Sequence, residues 1–228
     1  MSWKKYGFEF LSIFIAVIAA FALNNWNDNR RDHRAETKIL TEILNGLEKD
    51  VLDVGENTMG HVRGIQACTY WRKVFTNEPV SLDSLEGYYG LLTRDFVSIQ
   101  NTSGYETLKS RGFELIKNDS LRKQIISVYE FDYQYLKKLE EEYYELQFQE
   151  NYFKEINQVI APQFTYDSVG NISSIALPLP ISEADQKVLL SYLWKIKRNR
   201  TFILGLYKEV EVNLKELMRD IESEIENR

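Results

Sequence analysis

The sequence predicts an all-α protein: an N-terminal transmembrane helix followed by an elongated antiparallel helical bundle, with room for one small β-hairpin near residues 164–177. Three observations carry this reading. Residues 6–23 are almost wholly apolar, with Glu9 the one charged residue, a run of about 18 residues that meets the lower limit for crossing a bilayer's hydrocarbon core as a helix. Behind it, apolar residues recur at alternating spacings of three and four, the period of a packed helix face. Four prolines and 11 glycines in 228 residues are too few for a disordered or repeat-rich chain. The divisions that follow are a short basic tail (residues 1–5), the membrane helix and its boundary (6–27), and a helical bundle domain (28–228).

The apolar run has two readings. Lys4 and Lys5 form a basic flank and Ala20-Phe21-Ala22 has the small-residue spacing of a cleavage site, so a signal peptide is the alternative. An acid inside the run is unusual for a signal, and the run passes without a break into a helical pattern, so a retained span is the preferred reading. Trp3, Tyr6 and Trp26 sit near its ends as interfacial aromatics do, and Asn24, Asn25 and Asn27 supply amides at the polar boundary. Glu9 is the most suggestive single residue, because a carboxylate at membrane depth is costly and usually faces a partner or a cavity. Basic residues are nearly balanced across the span: Lys4 and Lys5 on one side, Arg30, Arg31, Arg34 and Lys38 on the other. Orientation by positive charge is therefore weakly determined, with a lean to a bundle outside the cytoplasm.

The first helix is expected to run from the membrane to about Thr76. Its seam is Leu40, Leu44, Leu47, Val51, Val54, Thr58, His61, Ile65 and Cys68. Gly46, Gly55, Gly60 and Gly64 mark either close helix packing or a bend. Asn77-Glu78-Pro79 ends this element, and Ser81 is placed to cap a short helix reaching about Leu92. A second short helix is expected over Tyr105–Ser110, closed by Gly112. A long helix then starts at Asp119 or Ser120 and reaches about Ile160, with Ile125, Tyr129, Leu136, Leu139, Tyr143, Leu146 and Phe153 on its seam and Pro162 as its stop. Residues 164–180 have strand character around Asp167-Ser168-Val169-Gly170. Ser182 and Asp185 resemble a capping box for a last helix from about Glu183 to Glu226, whose apolar stripe Arg200 interrupts.

Chemistry-bearing patterns are sparse. The net charge of -6 argues against nucleic-acid binding. A lone cysteine, Cys68, excludes an intramolecular disulfide framework and a multi-cysteine zinc site. His33 and His61 lack partners at metal-ligand spacing; His61 falls on the seam and is expected as a hydrogen-bonded core histidine, with Cys68 as a buried thiol. Glu140-Glu141-Glu142 and Glu145 are expected on a solvated face, and Tyr143, Tyr144, Phe148, Tyr152 and Phe153 in core and partner-helix packing. The reading expects no enzyme, no cofactor and no metal.

Three segments together resemble a family of small bacterial membrane proteins of unknown function: Gly7-Phe8-Glu9 leading to Leu23-Asn24-Asn25-Trp26-Asn27; Asn29-Arg30-Arg31; and Tyr105-Glu106-Thr107-Leu108-Lys109-Ser110 continuing into Leu115 to Arg122. The span departs from that pattern at Phe8 and in its alanine-rich steps. The resemblance implies a single-span inner-membrane protein with a helical domain and implies no activity. The expected function is a membrane-anchored interaction or sensory module. Its expected partners are the lipid bilayer and either a second copy or a membrane protein, and no nucleic acid. An oligomeric ion- or proton-coupled assembly using Glu9 is the alternative, with Glu9, Asn24, Asn25, Trp26 and Asn27 as the candidate membrane or assembly residues.

Overall fold

The computed structural model describes residues 3–227, with the side chains of Lys4 and Lys5 also outside the description. Most of the basic tail, residues 1–5, thus lies outside the described residues. Helix α1 runs without interruption from Trp3 to Phe75, 73 residues, or about 110 Å at the α-helical rise. Its end is built locally. Asn77 takes a positive φ of 55°, the Glu78 amide returns to the Lys73 carbonyl at 2.8 Å, and Pro79 prevents continuation.

A 3₁₀ turn capped by Ser81 leads into α2 (Leu85–Leu92), and an irregular strap, residues 93–102, connects it to α3 (Ser103–Arg111). Gly112, with φ 97°, turns the chain, and Asn118 caps α4 (Asp119–Ser127) by accepting from the Ser120 and Leu121 amides. One π-helical turn, Val128–Asp132, joins α4 to α5 (Tyr133–Glu141). After a break comes α6 (Phe148–Ile160), then a two-stranded antiparallel hairpin of β1 (Phe164–Tyr166) and β2 (Ile172–Ile175), and finally α7 (Glu183–Glu226, 44 residues). The Ser182 hydroxyl caps α7 by accepting from the Asp185 amide at 3.1 Å.

The architecture is all-α with a small hairpin. Helices α1 and α7 form its antiparallel spine; α2 and α3 pack against α1, and α4, α5 and α6 against α7. At one end Gln186 Nε2 donates to the Phe75 carbonyl at 2.5 Å. At the other, Lys117 N donates to Glu36 on α1 and Asn118 Nδ2 to Glu224 on α7, both at 2.8 Å. Packing on α1 therefore begins at Ala35–Glu36, and residues 6–34 are exposed throughout.

On the α1 seam, Leu40, Leu47, Val54, His61 and Cys68 are buried, whereas Leu44, Val51, Thr58 and Ile65 are half-buried. The reason is a second stripe at the same period, Ile43, Asp50, Asn57 and Gly64, one turn around the helix. The glycines mark close packing and not a bend. A Cβ at Gly60 would lie 2.4 Å from the Phe96 ring and one at Gly64 2.5 Å from Arg200 Nε. Gly55 has nothing within 4 Å.

The expected single helix over 119–160 is corrected to three pieces. The chain leaves helix after Glu141. Gln147 Nε2 then takes the Glu140 carbonyl at 2.7 Å, and Asp95 on the strap restarts the helix by accepting from the Phe148 amide at 2.7 Å. A side chain from a remote segment thus caps α6, which no local pattern reveals. Tyr143 falls in the break and is exposed instead of lying on a seam.

Candidate functional site

The structure puts the sequence-derived candidates and the polar interior at opposite ends of the molecule. Glu9, Asn24, Asn25, Trp26 and Asn27 all lie on the exposed part of α1, and no described residue of the bundle packs on them. Among the described residues their contacts are local: Asn24 Nδ2 donates to Asp28 at 3.1 Å, and the Arg30 guanidinium lies 5.7 Å from the Trp26 ring centroid. This is the one described helix long and apolar enough to cross a membrane, and none of its apolar window is buried within the chain. A helix serving as the core of a soluble fold would show the opposite.

The bundle interior holds a polar seam organised around the strap. Strap amides that have no sheet partner donate to carboxylates instead. Ser98 N meets Glu140 Oε2 at 3.1 Å, Ile99 N meets Asp53 Oδ2 at 2.9 Å, and Asn101 N meets Asp50 Oδ1 at 2.9 Å. The Ser98 and Tyr207 hydroxyls also donate to Glu140, and the Tyr133 hydroxyl donates to Asp50 at 2.5 Å. Glu140 is therefore buried, correcting the expectation of a solvated face at that one position, while Glu141 and Glu142 are exposed as expected and Glu145 is half-buried. Burial pushes its carboxyl above the usual range, against the pull of these donors.

Arg200, fully buried, is the centre of the seam. Its Nη2 donates to the carbonyls of Leu92 at 3.2 Å and Arg94 at 2.8 Å, satisfying the C-terminal end of α2, where a cation also complements the helix dipole. Its guanidinium lies between the rings of Phe148, 4.4 Å from the centroid, and Phe96, 5.5 Å away. Its Nη1 meets His61 Nδ1 at 3.1 Å. Burial, and secondarily the Arg200 charge, lowers the His61 pKa to about 3, while burial raises that of Cys68 to about 11. His61 is a neutral core histidine, and Cys68 is held as the thiol, which is not the nucleophilic form.

Asp50, Asp53, Asp95 and Ser98 were not singled out from the sequence, whereas Tyr207 was expected on the buried stripe of the last helix and is buried there. A signal existed for Asp50, which shares a seven-residue period with the buried Ile43 and Asn57. None existed for Asp95, whose role depends on where the strap lies. Among the described residues no group of three or more His, Cys, Asp or Glu side chains is placed to hold a metal ion.

No family model matches the chain, and neither a curated protein nor a solved structure is significantly similar to it.

Proposed function

We propose that the protein is a membrane-anchored helical interaction module, held in a bacterial inner membrane by α1 and presenting its bundle to a partner. The observation that carries this reading is the continuity of α1. The same unbroken helix is wholly exposed and, apart from Ser12, apolar over residues 10–23 and becomes part of the bundle spine from Glu36 onward. Exposing so many large apolar side chains to water is unfavourable, at roughly 25 cal/mol per Å², and lipid removes that cost. The buried seam supports the same reading, because its carboxylates and its arginine are occupied in fixing the strap and the helix ends. Purification of the full chain in mild detergent, followed by mass measurement, tests the proposal. A complex with a membrane protein or a second copy is expected, and a strict monomer with nothing co-purifying counts against it.

A further inference from the structure

Helix α7 is electrostatically divided. From Gln186 to Lys208 it carries Lys187, Lys195, Lys197, Arg198, Arg200 and Lys208 and no acid, whereas Glu209 to Glu226 is predominantly acidic. Arg200 is buried, Lys187 pairs with Glu183, and Lys195 pairs with Glu145. Lys197 and Arg198 are exposed, and among the described residues their side chains make no ion pair or hydrogen bond. They stand beside large apolar surface: Trp194 is 65% exposed and Phe202 52%. Two grooves meet there. One, of about 650 Å³, runs between Tyr143 and Phe202; the other, of about 360 Å³, reaches Arg72 on α1; Trp194 and Lys197 line both.

Unpaired cations flanking exposed aromatic rings are the composition of an interface core with a charged rim. We infer that this face of α7 docks an acidic segment of a different protein that also carries an apolar side chain to cover Trp194. The choice of occupant rests on the anchored reading above. The face lies beside Cys68 and Thr69 of α1, about 60 Å along the helix from Asn27, beyond reach of the protein's own bilayer. Two copies rooted in one membrane stand at the same height, so a two-fold pair through this face sets Lys197 and Arg198 against their own counterparts, which is repulsive. A protein of net charge -6 is itself poorly suited to a polyanionic nucleic acid. An acidic protein segment satisfies all three constraints.

The test places a photo-crosslinking amino acid in the full chain at Thr201, exposed in the larger groove, and, as a control, at Val169 on the hairpin. Cells producing the protein are irradiated, and linked peptides are identified by mass spectrometry. The expected result is an adduct at 201 but not at 169, joining a net-acidic peptide of another protein. The Lys197→Glu, Arg198→Glu double variant should reduce it about tenfold, with an unchanged thermal melt and unchanged membrane retention. An absent adduct, a link to a second copy, to lipid or to nucleic acid, or an adduct that survives the double charge reversal overturns the inference. Membrane retention of the unmodified chain is read in the same cells, so failure of the anchor is distinguished from failure of the docking face.

Discussion

Arg200 on α7 and His61 on α1 meet Nη1 to Nδ1 at 3.1 Å across the bundle core. Arginine only donates, so His61 Nδ1 accepts and the imidazole proton sits on Nε2. A protonated His61 loses that acceptor and faces a buried guanidinium. The folded pKa is lowered to about 3 from 6.5, so the unfolded chain binds the extra proton in between. This contribution to stability is complete above about pH 6.5 and is lost as pH falls towards 3. Its size is on the order of 3–5 kcal/mol. Denaturant melts of the full chain in detergent between pH 7.5 and 4.5 should show a decline that His61→Gln makes shallower. An equal slope in both proteins removes His61 from the account.

Removing the arginine itself should be more damaging. Arg200→Ala strips the partner from the α2 terminal carbonyls and leaves a void between Phe96 and Phe148, for an expected loss of about 3–5 kcal/mol. Arg200→Lys should recover only part of this, because an ammonium cannot make the planar fork or stack between two rings. Thermal denaturation of the three proteins checks the order.

Glu140 separates charge from hydrogen bonding. Its carboxyl is raised by burial, so ionising it opposes folding: the contribution is favourable below its unfolded value and is lost as pH rises through the folded one. Glu140→Gln keeps an oxygen for the Ser98 donors and offers an amide to Tyr207 in place of an acceptor. It should be neutral or stabilising at pH 7, while Glu140→Ala should cost about 2–4 kcal/mol by leaving the Ser98 amide unpaired. If both variants lose equal stability, the carboxylate charge is itself required.

Two glycines on one helix should respond in opposite directions. Gly55→Ala meets open space and should stabilise α1 by up to about 1 kcal/mol through helix propensity. Gly64→Ala places a methyl against Arg200 and should destabilise by about 1–3 kcal/mol. Paired melts give the comparison, and a stabilising Gly64→Ala contradicts the close approach of α7.

Much of this fold was legible because the features that make it are local. The exposed apolar part of α1 shows as a composition, the C-terminal end of α1 and the start of α7 show as Asn77-Glu78-Pro79 and Ser182, and the α7 stripe from Leu189 to Ile221 shows as a period that Arg200 interrupts. The middle of the chain was not legible. Residues 119–160 carry a helix-compatible pattern throughout, and the restart after the break at 142–147 depends on Asp95, fifty-three residues before Phe148 in the chain. Glu140 looks like any surface acid until the strap brings Ser98 to it. The anchor candidates, from Glu9 to Asn27, are visible as a pattern, but among the described residues the chain folds nothing around them; the proposed anchoring gives them lipid or another molecule as partners. Glu9→Gln is accordingly expected to leave membrane retention unchanged, and a fall in complex mass in detergent would move the interaction into the bilayer.

The most direct test of the anchored reading is alkaline carbonate extraction of membranes from cells making the full chain, with intact-mass analysis of the retained protein. The account predicts that the protein stays with the membrane at the mass of a chain that keeps residues 6–27. Release into the soluble fraction, or a mass showing cleavage after Ala22, would contradict it.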